Sequence, residues 1–116
     1  SDVYKRQVFN RIHVADIATV LRASLHNPHP EAIYNVSDDE PAPPQDVVTY
    51  AAQTMAVPLP PAYPYDKAGL SAMALSFYGE NKRVSNALIK QELGVTLTYP
   101  TYREGIDALY AAGEGR

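Results

Sequence analysis

Apolar and polar positions fall into a readable order from Val8 onward. Val8 to His13 is a short apolar-rich stretch suited to a strand. From Val14 to about His26, Ile17, Val20, Leu21 and Leu25 recur at helical spacing, and Asp16 stands in the first turn, where the helix dipole favours a carboxylate. Asn27-Pro28-His29-Pro30 ends that helix, because a proline has no N–H to donate and its ring clashes with the preceding turn. Ala32-Ile33-Tyr34-Asn35-Val36 reads as a second strand, closed by the polar run Ser37-Asp38-Asp39-Glu40. Strand, crossover helix and strand predict a right-handed parallel βαβ unit. Two strands alone make a poor sheet, so the pair is expected to need further strands or a helical layer.

The remainder reads as helical. Pro43-Pro44 opens a helix through Val47, Val48, Ala51 and Met55, since proline is well tolerated in a first turn. Pro58 to Tyr65 is a stiff extended connector. A further helix is expected over Ala68 to Tyr78, with Leu70, Met73, Ala74 and Phe77 on one face and Gly79-Glu80-Asn81 breaking it. Ser85 is the expected N-cap of a helix carrying Leu88, Ile89 and Leu93, and Gly94 supplies its left-handed stop. Thr96 to Tyr99 is expected to be extended. The last helix starts at Pro100-Thr101, where Thr101 and Glu104 form a T-x-x-E capping box ahead of Ile106, Leu109 and Tyr110. The fold class expected is therefore α/β, a short βαβ unit followed by a mainly helical region.

Composition narrows the function classes. A chain of 116 residues fits one small domain, and with 46% hydrophobic and 20% charged residues it has ordinary globular make-up. A net charge of -3 gives no basic footprint for nucleic acid. No cysteine is present, which removes disulfides and thiol nucleophiles. No apolar run approaches the ~20 residues that span a bilayer, and no signal peptide is visible, so a cytoplasmic location is the expectation. The opening Ser1-Asp2-Val3-Tyr4-Lys5-Arg6-Gln7 resembles the translated end of a transposon used in preparing sequencing libraries. Residues 1–7 are accordingly read as a non-native scar, 8–116 as native, and the fragment as truncated on its N-terminal side.

Five motifs in order carry a family resemblance. Phe9-Asn10-Arg11-Ile12-His13-Val14-Ala15-Asp16-Ile17-Ala18, Ile33-Tyr34-Asn35-Val36, Ser37-Asp38-Asp39-Glu40-Pro41, Asn81-Lys82-Arg83-Val84-Ser85-Asn86 with Glu92-Leu93-Gly94, and Tyr99-Pro100-Thr101-Tyr102-Arg103-Glu104-Gly105 resemble, in that order, segments of extended short-chain dehydrogenases/reductases, the NAD-dependent epimerase/dehydratase family. Each alone is weak; their order across 9–105 is what makes the match specific. The resemblance implies the C-terminal, substrate-binding portion of an NAD(P)-dependent oxidoreductase of the atypical kind, whose N-terminal Rossmann domain holds NAD or NADP and is missing here. It implies a small-molecule substrate, and a fragment that is inactive and binds no cofactor alone.

The family's catalytic hallmarks are absent from the expected places. The six glycines form no Gly-rich phosphate turn. Tyr63 and Lys67 have Y-x-x-x-K spacing, but Pro64 pushes Tyr63 away from helical angles, and a turn-rich loop is the reading. No catalytic residue and no metal ligand set is therefore assigned. Three residues are candidate substrate contacts. Arg83 is the first, a guanidinium just before a helix N-terminus, able to pair with phosphate or carboxylate, or alternatively with Asp38-Asp39. Arg11 and His13 stand at alternate positions of the first expected strand and so share a face. Asp16 reads as a helix cap. Asp38, Asp39 and Glu40 read as a solvated loop, and His26 and His29 lack a third metal ligand. Phe9 stands where nucleotide-sugar epimerases tend to carry arginine, and Ser71, Met73 and Phe77 stand where they place basic residues, so a diphosphate would lack its usual partners. Competing readings are a non-catalytic nucleotide-binding or sensor protein, and a small helical interaction module.

Overall fold

Four α-helices carry the regular structure of this computed structural model, which describes residues 7–59 and 82–113. They are α1 (Val14–His26), α2 (Pro44–Met55), α3 (Ala87–Leu93) and α4 (Tyr102–Ala111). The expected helix over Ala68 to Tyr78 and the Tyr63/Lys67 pair lie outside the described residues, as do residues 1–6 of the opening heptad.

Each helix starts and stops for a local reason. The His13 Nδ1 accepts the Ala15 N–H at 3.0 Å and caps α1, and the Asn27 N–H closes the helix on the Ala23 carbonyl. Pro43 and Pro44 start α2, and it ends with Ala56 in the left-handed region at φ 56°, a conformation more often given to glycine. Asn86, rather than the expected Ser85, flanks α3, although the Ser85 hydroxyl does accept the Ala87 N–H at 3.2 Å; Gly94 ends the helix at φ 66°. The capping box of α4 forms as expected: the Thr101 N–H donates to the Glu104 carboxylate at 3.0 Å, and the Thr101 hydroxyl accepts the Arg103 N–H.

The helices pack in two pairs, α1 with α3 and α2 with α4. Val20 of α1, Ile89 and Leu93 of α3, and Val95 and Leu97 beyond it form the core cluster, flanked by Ile12, Ala23 and Tyr34.

The expected α/β class and its βαβ unit are not what forms. No strand occurs among the described residues. The first stretch makes one isolated antiparallel bridge, in which Phe9 and Ala42 exchange N–H···O bonds of 3.0 and 3.2 Å. Its partner is thus the segment leading into α2, in the opposite direction, and not residues 32–36. Those residues form no strand pairing, and Ile33 is 85% exposed. Asparagine side chains do the joining that a sheet ladder was expected to do. Asn10 donates to the Lys82 carbonyl at 2.8 Å and accepts the Val84 N–H at 3.1 Å. Asn35 donates to the Ser85 carbonyl, Asn86 to the Ser37 carbonyl, and Asn27 to the Glu92 carbonyl. An amide has both a donor and an acceptor, so it can bridge backbone groups where main chains do not run alongside each other.

Candidate functional site

The first and last motifs of the sequence meet in space. Asp16 is fully buried, and its two carboxylate oxygens accept the N–H groups of Thr98 and Tyr99, each at 2.9 Å. It therefore does not cap α1, as the sequence suggested; it ties the loop before α4 to the first turn of α1. The His13 ring stacks on Tyr99 with centroids 4.0 Å apart, and its Cδ2 stands 3.3 Å from where a Cβ on Gly105 would lie. Gly105 leaves room for the imidazole against α4.

Around this junction lies a shallow depression of about 130 Å³, lined by Arg11, Ile12, His13, Asp38, Val47 and residues of the α4 start including Thr101 and Tyr102. That is well under the ~300 Å³ at which small-molecule pockets begin. Its floor is apolar and its polar groups are few. Because the His13 Nδ1 accepts a backbone N–H, the ring's hydrogen belongs on Nε2, which leaves a donor for a ligand. One Arg11 nitrogen donates to the Ala42 carbonyl at 3.3 Å. Asp38 is buried beside it: its N–H donates to the Arg11 carbonyl at 2.7 Å, and its Oδ1 accepts the Glu40 N–H at 3.1 Å. Burial pushes the Asp38 carboxyl above the ordinary carboxylate range, against the opposing Glu40 N–H bond and the Arg11 charge. The neighbouring Ser37 hydroxyl is also buried and has no hydrogen-bond partner among the described residues.

Arg11 and His13 thus line one depression, although the strand that was to align them does not form. Arg83 is exposed and is not among the lining residues. Nor does it take the acidic loop: Lys90 pairs with Asp39 at 2.6 Å and Arg103 with Glu40 at 2.8 Å. The Asn86 amide and Lys90 hold the Asp39 carboxyl below its usual range. On the α2–α4 side, the Tyr50 hydroxyl donates to both Asp107 oxygens at 2.8 and 2.9 Å, which raises its pKa, and Tyr50 meets Tyr102 edge-on. Among the described residues no group of three His, Cys, Asp or Glu side chains could hold a metal ion, and no helix is long and apolar enough to cross a membrane.

Sequence reasoning missed the roles of Asp16, Asn10 and Asn86. The available signal was their position inside the motifs, but the bonds they make span up to 83 residues and leave no local pattern.

No family model and no curated protein matches this sequence. A solved structure, that of a functionally unknown conserved protein from Silicibacter pomeroyi DSS, is similar to it, with 63% identity over 93% of this chain and a TM-score of 0.88. The chain spans 39% of that neighbour's length.

Proposed function

We propose that residues 8–116 are the substrate-binding part of a longer NAD(P)-dependent oxidoreductase or epimerase/dehydratase-like protein, inactive alone. The observation that carries this reading is the junction of the first and last motifs. Of the residues quoted for the family resemblance, Arg11, Ile12 and His13 at one end and Thr101, Tyr102 and Gly105 at the other line one depression, and Asp16 ties the two segments together from behind it through the Thr98 and Tyr99 N–H groups. Its small volume suits a partial site, completed by a nucleotide-binding domain that supplies NAD or NADP and the reacting groups. The coverage of 39% of a longer, 63% identical neighbour accords with a portion of a larger protein. On this reading the His13 Nε2–H and the free edge of the Arg11 guanidinium hold an oxygen of a small-molecule substrate, and Arg83 offers a charge for an anionic group at the boundary with the rest of the protein.

The test is cofactor binding followed by NADH and NADPH fluorescence, on the 116-residue chain and on the full-length protein that carries it. Micromolar binding by the full-length protein and none by the chain is expected. Binding by the chain alone would overturn the claim that the cofactor site lies elsewhere. Absence of binding by the full-length protein would overturn the oxidoreductase reading itself.

A further inference from the structure

The apolar side of α1 is open to solvent. Val14, Ile17, Leu21 and Leu25 follow each other at spacings of three and four, one stripe along a helix of 13 residues. They are 70%, 37%, 59% and 80% exposed. The face that packs on α3 is a different one, carrying Asp16, Val20 and Ala23. So the helix is apolar on two sides, and only one of them has a partner among the described residues. A contiguous row of large aliphatic side chains is costly to leave in water, at about 25 cal/mol for each Å² of apolar surface, and such patches mark interaction faces.

From this stripe and the partial coverage of the neighbour, we infer that Val14, Ile17, Leu21 and Leu25 form an interdomain face, covered by an apolar surface of the same longer polypeptide. The occupant is indicated by chain length: a protein 63% identical over nearly all of this chain has most of its own length outside the match. This inference does not rest on the oxidoreductase reading, because any second domain with an aliphatic face would satisfy it.

The chain has no cysteine, which allows a single-thiol test. Leu21→Cys on the stripe and Val57→Cys, a control 47% exposed just after α2, are placed in a full-length protein in which this chain replaces the matched stretch of the Silicibacter pomeroyi neighbour. Maleimide labelling of each peptide is followed by mass spectrometry, and each rate is normalised to that in urea. The thiol at 21 is expected to be protected about tenfold or more relative to the one at 57. Comparable rates would overturn the inference. So would protection that disappears on dilution, since that outcome assigns the stripe to a second copy of the chain. Should the hybrid not fold, cysteine at the aligned position of the unmodified neighbour gives the same readout.

Discussion

Replacing Asp16 by alanine removes two hydrogen bonds that join the N-terminal helix to the loop before α4. Both carboxylate oxygens are used, at 2.9 Å, on backbone N–H groups 82 and 83 residues away, and the side chain is fully buried. A hydrogen bond to a charged acceptor contributes about 1.5–3 kcal/mol. Two of them are offset in part by the cost of burying a carboxylate and by water reaching the half-exposed Tyr99 once released, so a net loss of about 2–4 kcal/mol is expected for Asp16→Ala. Asp16→Asn keeps one acceptor but turns an amide N–H₂ toward the second N–H, and should lose roughly 1.5–3 kcal/mol. Urea unfolding followed by far-ultraviolet circular dichroism measures this: with a slope of about 2 kcal/mol/M, a 3 kcal/mol loss moves the midpoint down by roughly 1.5 M. A second readout separates loop release from general weakening. The His13 ring protons, shifted by the stacked Tyr99, should move toward free-histidine positions under conditions where the variant remains folded. A midpoint within about 0.3 M of the parent at unchanged slope would refute the reasoning, for it would mean that the two bonds contribute little net stability.

His13→Ala should cost about 1–2 kcal/mol through loss of the α1 cap, while His13→Asn, a good capping residue, should recover about half of that by the same unfolding assay. Ala56→Gly should stabilise the protein by about 0.5–1 kcal/mol, because Ala56 sits at φ 56°, and Gly94→Ala at φ 66° should destabilise it by a similar amount. The Asp39 carboxyl is held below its ordinary 3.8, so it contributes stability above that pH and loses it as the pH falls through the lowered value. The stability gap between the parent and Asp39→Asn should therefore narrow on acidification from neutral pH and close well below 3.8; a gap independent of pH would count against the Asn86 and Lys90 contacts.

The helices were legible because their signals are local. Prolines at the start of α2, Gly94 after α3 and the Thr101–Glu104 box before α4 each act within a turn of the residue that carries them. The first helix was bounded by His13 and Asn27 for the same kind of reason. Strands are different, because an apolar run of five or six residues is extended in many contexts and becomes a strand only where another backbone lies alongside it. Val8 to His13 finds Ala42 at one position, and 32–36 finds side-chain amides instead. Which of these happens depends on residues far away in sequence, so no window of the chain contains the answer.

The site was half legible for a related reason. Alternation along an extended stretch put Arg11 and His13 on one face, and both do line one depression, but Ile12 between them lines it as well, so strand alternation is not what brings them together. Arg83 was chosen for its place before a helix, yet α3 has only 7 residues, and in the acidic loop that was its alternative partner Asp39 is taken by Lys90 and Glu40 by Arg103. The largest departure is in α1. Periodicity put Ile17, Val20, Leu21 and Leu25 at helical spacing, and of these only Val20 is buried. The pattern itself was read correctly, since those positions do form an apolar stripe. What periodicity cannot tell is which of two apolar faces packs within the chain. The buried Asp16 decides that: its bonds to Thr98 and Tyr99 turn its own face, with Val20, toward α3 and the loop, and thereby turn Leu21 and Leu25 outward. One polar side chain thus sets the rotation of the helix and, with it, which surface remains for a partner.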